Sequence, residues 1–149
     1  MTGTTHGSIC EINDQWYVFF HRLTHKSDYS RQACAEKINI EPDGSIRQVE
    51  LTSCGLNEGP LKAEGVYPAV ICCNLTNGHM PHGSNSVYLM PFPNVTNLGD
   101  DRFVGEIEDG TMIGYKYFDF GEDFGSKTMK FMAKIRGTGC NAAMEIRID

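Results

Sequence analysis

The apolar residues of this chain recur with a period of two or in short continuous runs, and no stretch of about 11 or more residues carries a helical stripe. Residues 129–136 (MKFMAKIR) and 144–149 (MEIRID) alternate between apolar and polar side chains around a turn at 137–139 (GTG). Alternation of this kind is typical of strands with one buried face. Residues 16–20 (WYVFF) are continuously apolar, as in a strand covered on both faces. The sequence therefore predicts an all-β fold.

Turn signals divide the chain into further predicted strands. Residues 8–11 and 15–20 flank Asn13-Asp14 and predict a hairpin, and residues 38–51 predict a second hairpin around Pro42-Asp43-Gly44. The run at 69–75 (AVICCNL) predicts a short buried strand, and the run at 111–120 (TMIGYKYFDF) predicts a half-buried one.

Length and charge restrict the classes of protein to consider. The chain has 149 residues, enough for one domain or two small ones, and its 13 basic and 19 acidic residues give a net charge of −6. The basic residues are scattered, which argues against nucleic acid as a partner. No apolar stretch approaches the roughly 20 residues of a membrane span, so we expect no membrane partner. No signal peptide is visible at the start, which favours a cytoplasmic location for the sequence as it stands.

The six cysteines include no C-x-x-C pair, so their spacing does not indicate a zinc site. We expect most of them to be reduced and buried as small apolar groups, and a disulfide-bonded form is the alternative.

A change of composition suggests a boundary between two parts of the chain. Residues 76–86 (TNGHMPHGSNS) are rich in Gly, Asn, Ser and Pro, which is typical of a loop or linker. The sequence therefore predicts one unit at 1–75 and a second at 87–149.

Several polar side chains stand where strands begin or end. His6 precedes the first predicted strand, where a neutral imidazole could bind a cation or its water. Arg22 follows the apolar run and could hold its planar fork against sugar hydroxyls or a carboxylate, and Arg31 and Gln32 could act similarly. For each of them a solvated position on the surface is the alternative. Glu36 could pair with Lys37 or Arg31 in a purely structural role.

Acid–base hydrolysis of a glycoside needs two carboxylates that flank one bond. The acidic residues before the linker lie mostly at predicted turns and strand edges, so no catalytic pair can be chosen among them. Tyr115, Tyr117, Phe118 and Phe120 could present a stacking face to a sugar, although strand aromatics are more often core. Trp16 is expected in the core.

Four segments carry a resemblance to a known family. Residues 6–38, from HGSICEINDQWYVFFHR to SRQACAEKI, resemble the last blade of the catalytic propeller in glycoside hydrolase family 43, which includes β-xylosidases and α-L-arabinofuranosidases. Residues 49–75 are similar to the segment that follows in a subgroup of these enzymes. Residues 105–120 and 130–139 are similar to the start of their C-terminal β-sandwich, which is related to carbohydrate-binding module family 6. The resemblance implies a partial β-propeller blade at 1–75 and a partial antiparallel, jelly-roll-like β-sandwich at 87–149.

The resemblance also implies roles for the strand-end residues. His6 matches a histidine that contacts a metal ion, calcium or a similar ion, or its waters. Arg22 matches an arginine near the subsite for the cleaved sugar, and Arg31 and Gln32 fall in the SRQ stretch at the same rim. The ligand implied is a xylose- or arabinose-containing oligosaccharide.

The family's general acid, general base and pKa-modulating aspartate belong to earlier blades and have no counterpart in this sequence. We therefore expect a C-terminal portion of a glycoside hydrolase that inverts configuration when intact and is catalytically silent alone, with the missing blades or a second copy as partner. The alternatives are a carbohydrate-binding module for xylo- or arabino-oligosaccharides and a structural, oligomerising piece.

Overall fold

The structure is a computed structural model that describes residues 6–78, 91–123, 125, 128–137, 139 and 141–148. The described residues form strands and one short 3-10 helix, which confirms the all-β prediction. The strands are β1 (Ser8–Ile12), β2 (Gln15–Thr24), β3 (Ser27–Lys37), β4 (Leu61–Lys62), β5 (Asn74–Thr76), β6 (Asn94–Leu98), β7 (Asp101–Gly105), β8 (Met112–Gly114) and β9 (Phe118–Asp119).

The first three strands form one antiparallel sheet in the order β1-β2-β3. Asn13 and Asp14 connect β1 to β2 with φ angles of 51° and 61°, a conformation that these two residue types tolerate. His25 and Lys26 make the next turn in the same way, with φ angles of 57° and 51°. The predicted hairpin at 8–20 is therefore confirmed, and β2 is longer than predicted because it continues to Thr24.

Of the remaining strands, β4 and β5 pair with partners far away in the sequence, whereas β6 and β7 are neighbours. Strand β4 pairs with β9 in parallel, β5 pairs with β8 antiparallel, and β6 and β7 form a hairpin. A small core of Val70, Cys72, Val95 and Val104 lies where residues 70–72 pack against the β6–β7 hairpin. The β4–β9 and β5–β8 pairs join the parts of the chain on either side of the predicted linker, and the domain boundary itself stays a prediction.

Three predicted strands differ from the structure. The run at 69–75 begins as a 3-10 helix, Ala69–Ile71, and only Asn74–Thr76 is a strand. Residues 38–51 form a tight reversal, in which the N–H of Gly44 donates to the carbonyl of Glu41 at 2.8 Å, but Ile40 and Ile46 make a single bridge. The run at 111–120 is divided into β8 and β9. For the runs at 69–75 and 111–120 the side-chain pattern predicted an extended chain but could not specify a pairing partner. For 38–51 the predicted turn forms, but the hairpin ladder is reduced to one bridge.

The prediction of strands at the two most clearly alternating segments is wrong. Residues 128–137 and 141–148 form no strand within the described part of the chain, and the side chains of Phe131 and Ile146 are exposed. Thr138 of the predicted turn lies outside the described residues. Alternation indicates that one face of a segment is apolar, but a strand also needs a neighbour for its backbone N–H and C=O groups.

Of the predicted linker, Thr76 ends β5, Asn77 and Gly78 are described, and residues 79–86 lie outside the described residues. Five cysteines are described and all are free thiols. Cys72 is buried as expected, whereas Cys10 is exposed on β1, an edge strand. Among the described residues no helix is long and apolar enough to cross a membrane.

Candidate functional site

Arg22 and Gln32 face each other across β2 and β3. They are directly opposed in the antiparallel register, so both side chains leave the sheet on the same face. The Nε of Arg22 donates to the Oε1 of Gln32 at 2.9 Å. The Nε2 of Gln32 in turn donates to the carbonyl of Val70 at 3.2 Å, which gives the amide group a defined orientation.

The guanidinium of Arg22 closes on the 3-10 turn at residues 69–72. Its Nη1 donates to the carbonyl of Cys72 at 2.5 Å and its Nη2 donates to the carbonyl of Val70. These carbonyls lie at the end of a short helix, where backbone acceptors lack partners within the helix. The planar fork of Arg22 therefore binds backbone oxygens in this structure and fixes the turn against the sheet.

The other predicted site residues lie on the opposite face of this sheet. Arg31 is opposed to Leu23, one position along from the Arg22–Gln32 pair, so its side chain leaves on the other face. The Nε of Arg31 donates to the Nε2 of His21 at 3.2 Å. The imidazole of His6 stacks on that of His21, with 6.1 Å between the ring centroids.

The sheet thus divides the predicted site into two pairs. Arg22 and Gln32 lie on the face that carries the 69–72 turn, and Arg31 and His6 lie on the face that carries His21. The sequence contained a signal for this division, since Arg31 and Gln32 are adjacent and neighbouring strand residues point to opposite faces.

The imidazole beside His6 is that of His21, whose Nε2 already has a partner. A bond from Arg31 occupies the Nε2 of His21, and calcium takes oxygen ligands rather than imidazole nitrogen. Within the described part of the chain, no three His, Cys, Asp or Glu side chains converge on a point where a metal could bind. His6 as a metal contact therefore stays a prediction.

Burial governs the titration of the groups around Arg22. Burial raises the pKa of the Cys34 thiol and of the Cys72 thiol, and the positive charge of Arg22 opposes that rise in both. Burial also raises the pKa of Tyr115 to about 12, and its hydroxyl donates to the carbonyl of Ala69 at 3.0 Å. These thiols therefore stay protonated at neutral pH, and they are poor nucleophiles in that form.

Glu36 is a buried carboxylate whose partner the sequence did not reveal. Its side chain accepts the backbone N–H of Thr52 at 2.5 Å and the hydroxyl of Thr52 at 2.7 Å. The expected partners were Lys37 and Arg31, but the amine of Lys37 donates instead to the carbonyl of Glu58. Because Thr52 lies 16 residues away in a segment without regular strands, no periodic pattern could have indicated this pair.

A cleft of about 330 Å³ lies beside this carboxylate. Its walls are the end of β3 at Glu36, residues 47–60, and the ring of Tyr117. The Tyr117 hydroxyl donates to Glu50, which also pairs with Lys116 at 2.6 Å. The cleft combines an aromatic ring with hydroxyl, amide and carboxylate groups, a combination that can bind a polar organic ligand.

The predicted stacking residues differ in their surroundings. Phe118 packs edge-to-face on Tyr67, with 5.2 Å between centroids, and on Tyr115, with 6.5 Å. These three rings form a cluster, whereas Tyr117 is 51% exposed and faces the cleft. Trp16, predicted to be core, is only half-buried on β2.

Comparison with known proteins finds one similar sequence over nearly the whole chain. The chain is 42% identical, over 97% of its length, to a protein described as a "Xylosidase/arabinosidase" from Thermoclostridium stercorarium. It spans 31% of that relative. No family model and no solved structure matches the chain.

Proposed function

We propose that this chain is a region of a glycoside hydrolase that acts on xylose- and arabinose-containing glycosides. The observation that carries the proposal is the 42% identity to a protein described as a xylosidase/arabinosidase, which extends over 97% of this chain. The chain spans only 31% of that relative, so the activity of the whole relative is proposed, and not shown, for this chain.

Within this proposal, residues 1–75 contribute to a propeller blade of the family 43 type and residues 87–149 contribute to a sandwich of the family 6 type. The antiparallel β1-β2-β3 sheet supports the first assignment, because propeller blades are antiparallel sheets of about four strands. The β6–β7 hairpin is compatible with the second.

The four predicted site residues take different roles in the proposal; Arg22 lies inside β2, and Arg31 and Gln32 lie inside β3, rather than at strand ends. Arg22 has more N–H donors than the three that bind Gln32, Val70 and Cys72, so a sugar hydroxyl would bind a guanidinium that is already held in place. Gln32 orients that guanidinium. Arg31 and His6 would meet sugar or a metal ion on the opposite face of the sheet, so a single pocket within this sheet does not contain all four.

The proposal includes catalytic silence of the chain alone. Inverting hydrolysis needs an acid and a base with roughly 6.5–9.5 Å between their carboxyl groups. In this chain the carboxylate of Glu36 already accepts hydrogen bonds from Thr52, so it is not free to act as an acid or a base. The guanidinium of Arg22 already donates to an amide oxygen and two carbonyls. The expected result is no hydrolysis of aryl β-xylosides or aryl α-L-arabinofuranosides above the rate in buffer.

Saturable turnover by the chain that disappears in Glu36→Gln or Glu50→Gln would contradict this silence. Both substitutions keep the size of the side chain and remove its ability to exchange a proton. Loss of turnover in either variant would make the cleft an active site.

A chimera tests the family assignment separately. The matched 31% of the Thermoclostridium stercorarium relative is replaced by this chain, and hydrolysis of aryl xylosides and arabinosides is measured beside the intact relative. We expect the chimera to retain hydrolysis, since 42% identity over 97% of this chain favours the same fold for the exchanged region. A folded chimera without activity would refute the proposal.

Carbohydrate binding is the second candidate function. The exposed ring of Tyr117 at the edge of a cleft favours it, because sugars bind proteins through stacking on aromatic faces combined with hydrogen bonds. This function does not require the catalytic carboxylates and is compatible with silence of the chain alone.

A further inference from the structure

We propose that the cleft between the end of β3, residues 47–60 and Tyr117 is a binding site for a neutral oligosaccharide, with Tyr117 as the stacking ring. The site is separate from the predicted site residues His6, Arg22, Arg31 and Gln32, none of which lines the cleft. The choice of pentose oligosaccharides as ligands rests on the proposed function. The existence of the cleft follows from the positions of its lining residues and does not depend on that function.

Tyr117 is held in place before any ligand binds. Its hydroxyl donates to Glu50, the second oxygen of Glu50 accepts from Lys116 at 2.6 Å, and the Tyr117 carbonyl accepts the N–H of Leu61 at 2.9 Å. The ring has no aromatic partner among the described residues and is 51% exposed. A ring that is fixed at its hydroxyl end and open elsewhere loses little entropy when a sugar stacks on it.

The charges around the cleft favour an uncharged ligand. Of the described residues, five charged ones line the cleft: Glu36, Lys37, Arg47, Glu50 and Glu58. Arg47 pairs with Glu41 at 2.8 Å, and Glu50 pairs with Lys116 at 2.6 Å. The carboxylate of Glu36 accepts two bonds from Thr52, and the amine of Lys37 donates to the carbonyl of Glu58. A strongly anionic or cationic ligand would have to compete with these pairs. A neutral sugar would not.

The size and the polar groups of the cleft also suit a sugar. Its volume of about 330 Å³ lies at the lower end of the range for small-molecule sites, which is enough for one or two pentose rings. Asn39, Gln48 and Asn57 line the cleft, and amides can both donate to and accept from sugar hydroxyls. The Nδ2 of Asn57 already donates to the carbonyl of Cys54, so its Oδ1 is the acceptor left for a ligand.

Titration calorimetry of the full chain with xylotetraose and with arabinotetraose tests the site. We expect saturable binding of at least one of them, weakened roughly tenfold or more in Tyr117→Ala through loss of the stacking ring. Tyr117→Phe keeps the ring and loses only the bond to Glu50, so its affinity should stay within about threefold of the wild type. Tyr29→Ala is the matched control, because Tyr29 is 95% exposed on β3 and does not line the cleft.

Three results would overturn the site: no heat from either sugar at millimolar concentration, undiminished binding in Tyr117→Ala, or equal loss in Tyr117→Phe and Tyr117→Ala. The last result would mean that the hydroxyl, and not the ring, contributes the affinity. Failure of the site leaves the chimera result unaffected, because the chimera reports hydrolysis by the assembled enzyme.

A thiol in the cleft provides an independent measurement. Cys54 lines the cleft, whereas Cys10 is exposed on β1 and is not among the residues that line it. A bound sugar should slow alkylation of Cys54 by iodoacetamide and leave alkylation of Cys10 unchanged, as read by mass spectrometry. Equal rates for Cys54 with and without a saturating sugar would place the sugar elsewhere.

Discussion

Removal of the Arg22 guanidinium is the most informative perturbation of this fold. Arg22→Met keeps much of the length of the side chain and deletes its donors to the Oε1 of Gln32, the carbonyl of Cys72 and the carbonyl of Val70. The Val70 carbonyl keeps a partner because Gln32 also donates to it at 3.2 Å. Two acceptors, on Gln32 and Cys72, are therefore left without a donor.

The magnitude follows from these two acceptors. A buried polar group without a partner costs about 1–3 kcal/mol, and hydrogen bonds to a charged group contribute about 1.5–3 kcal/mol each. Since the side chain is only half-buried and water can replace part of the loss, we expect a destabilisation of about 2–4 kcal/mol. Arg22→Lys replaces the planar guanidinium by a single ammonium group, so its stability should lie between those of Arg22→Met and the wild type.

Urea unfolding followed by the fluorescence of Trp16, the single tryptophan, measures the effect. Arg47→Met is the matched control: the Arg47 side chain is 86% exposed and paired with Glu41 at 2.8 Å, so its loss should cost at most about 1 kcal/mol. Equal midpoints for Arg22→Met and Arg47→Met would refute the assignment of Arg22 as the residue that fixes the 69–72 turn.

Three further outcomes are expected. Glu36→Gln presents an amide to the N–H and hydroxyl of Thr52, and urea unfolding should show a loss of about 1–3 kcal/mol; an unchanged midpoint would contradict the buried bonds. A hydrogen bond from Lys116 is the main cause that holds the pKa of the Glu50 carboxyl below its ordinary value. The pair therefore stabilises the fold above that ordinary value, and the stabilisation is lost as pH falls through the lowered pKa. In Lys116→Met, carboxyl NMR should show a higher pKa for Glu50, and an unchanged pKa would contradict the pair. Burial raises the pKa of the Cys72 thiol, so iodoacetamide should modify it more slowly at pH 8 than an exposed thiol, and equal rates would contradict its burial.

The predictable part of the fold is the part whose partners are close in sequence. The β1–β2 hairpin closes on Asn13 and Asp14, and the same few residues contain both the turn and the strands it joins. The apolar run at 16–20 lies within β2 for the same reason. Residues 129–136 alternate just as clearly, yet they form no strand within the described residues, because alternation does not supply a neighbouring strand.

The candidate site, like the fold, has a part that the sequence revealed and a part that only the structure revealed. The residue types, an arginine at a strand end and a glutamine near it, were visible from the sequence, and so was the alternation that puts Arg31 and Gln32 on opposite faces. The cleft was not visible, because Glu36, Thr52 and Tyr117 come from segments that meet only in the folded chain.

Local pattern alone was thus enough to determine the all-β class and the first hairpin, whereas β3 and its register with β2 came from the structure. Tertiary structure decided what those side chains bind: the guanidinium of Arg22 could have met a sugar, a carboxylate or water, and it meets carbonyls 48 and 50 residues away. The physical reason is that strand geometry is set by neighbouring residues, whereas a hydrogen-bond partner is set by whichever segment the packing of the whole chain brings within about 3 Å.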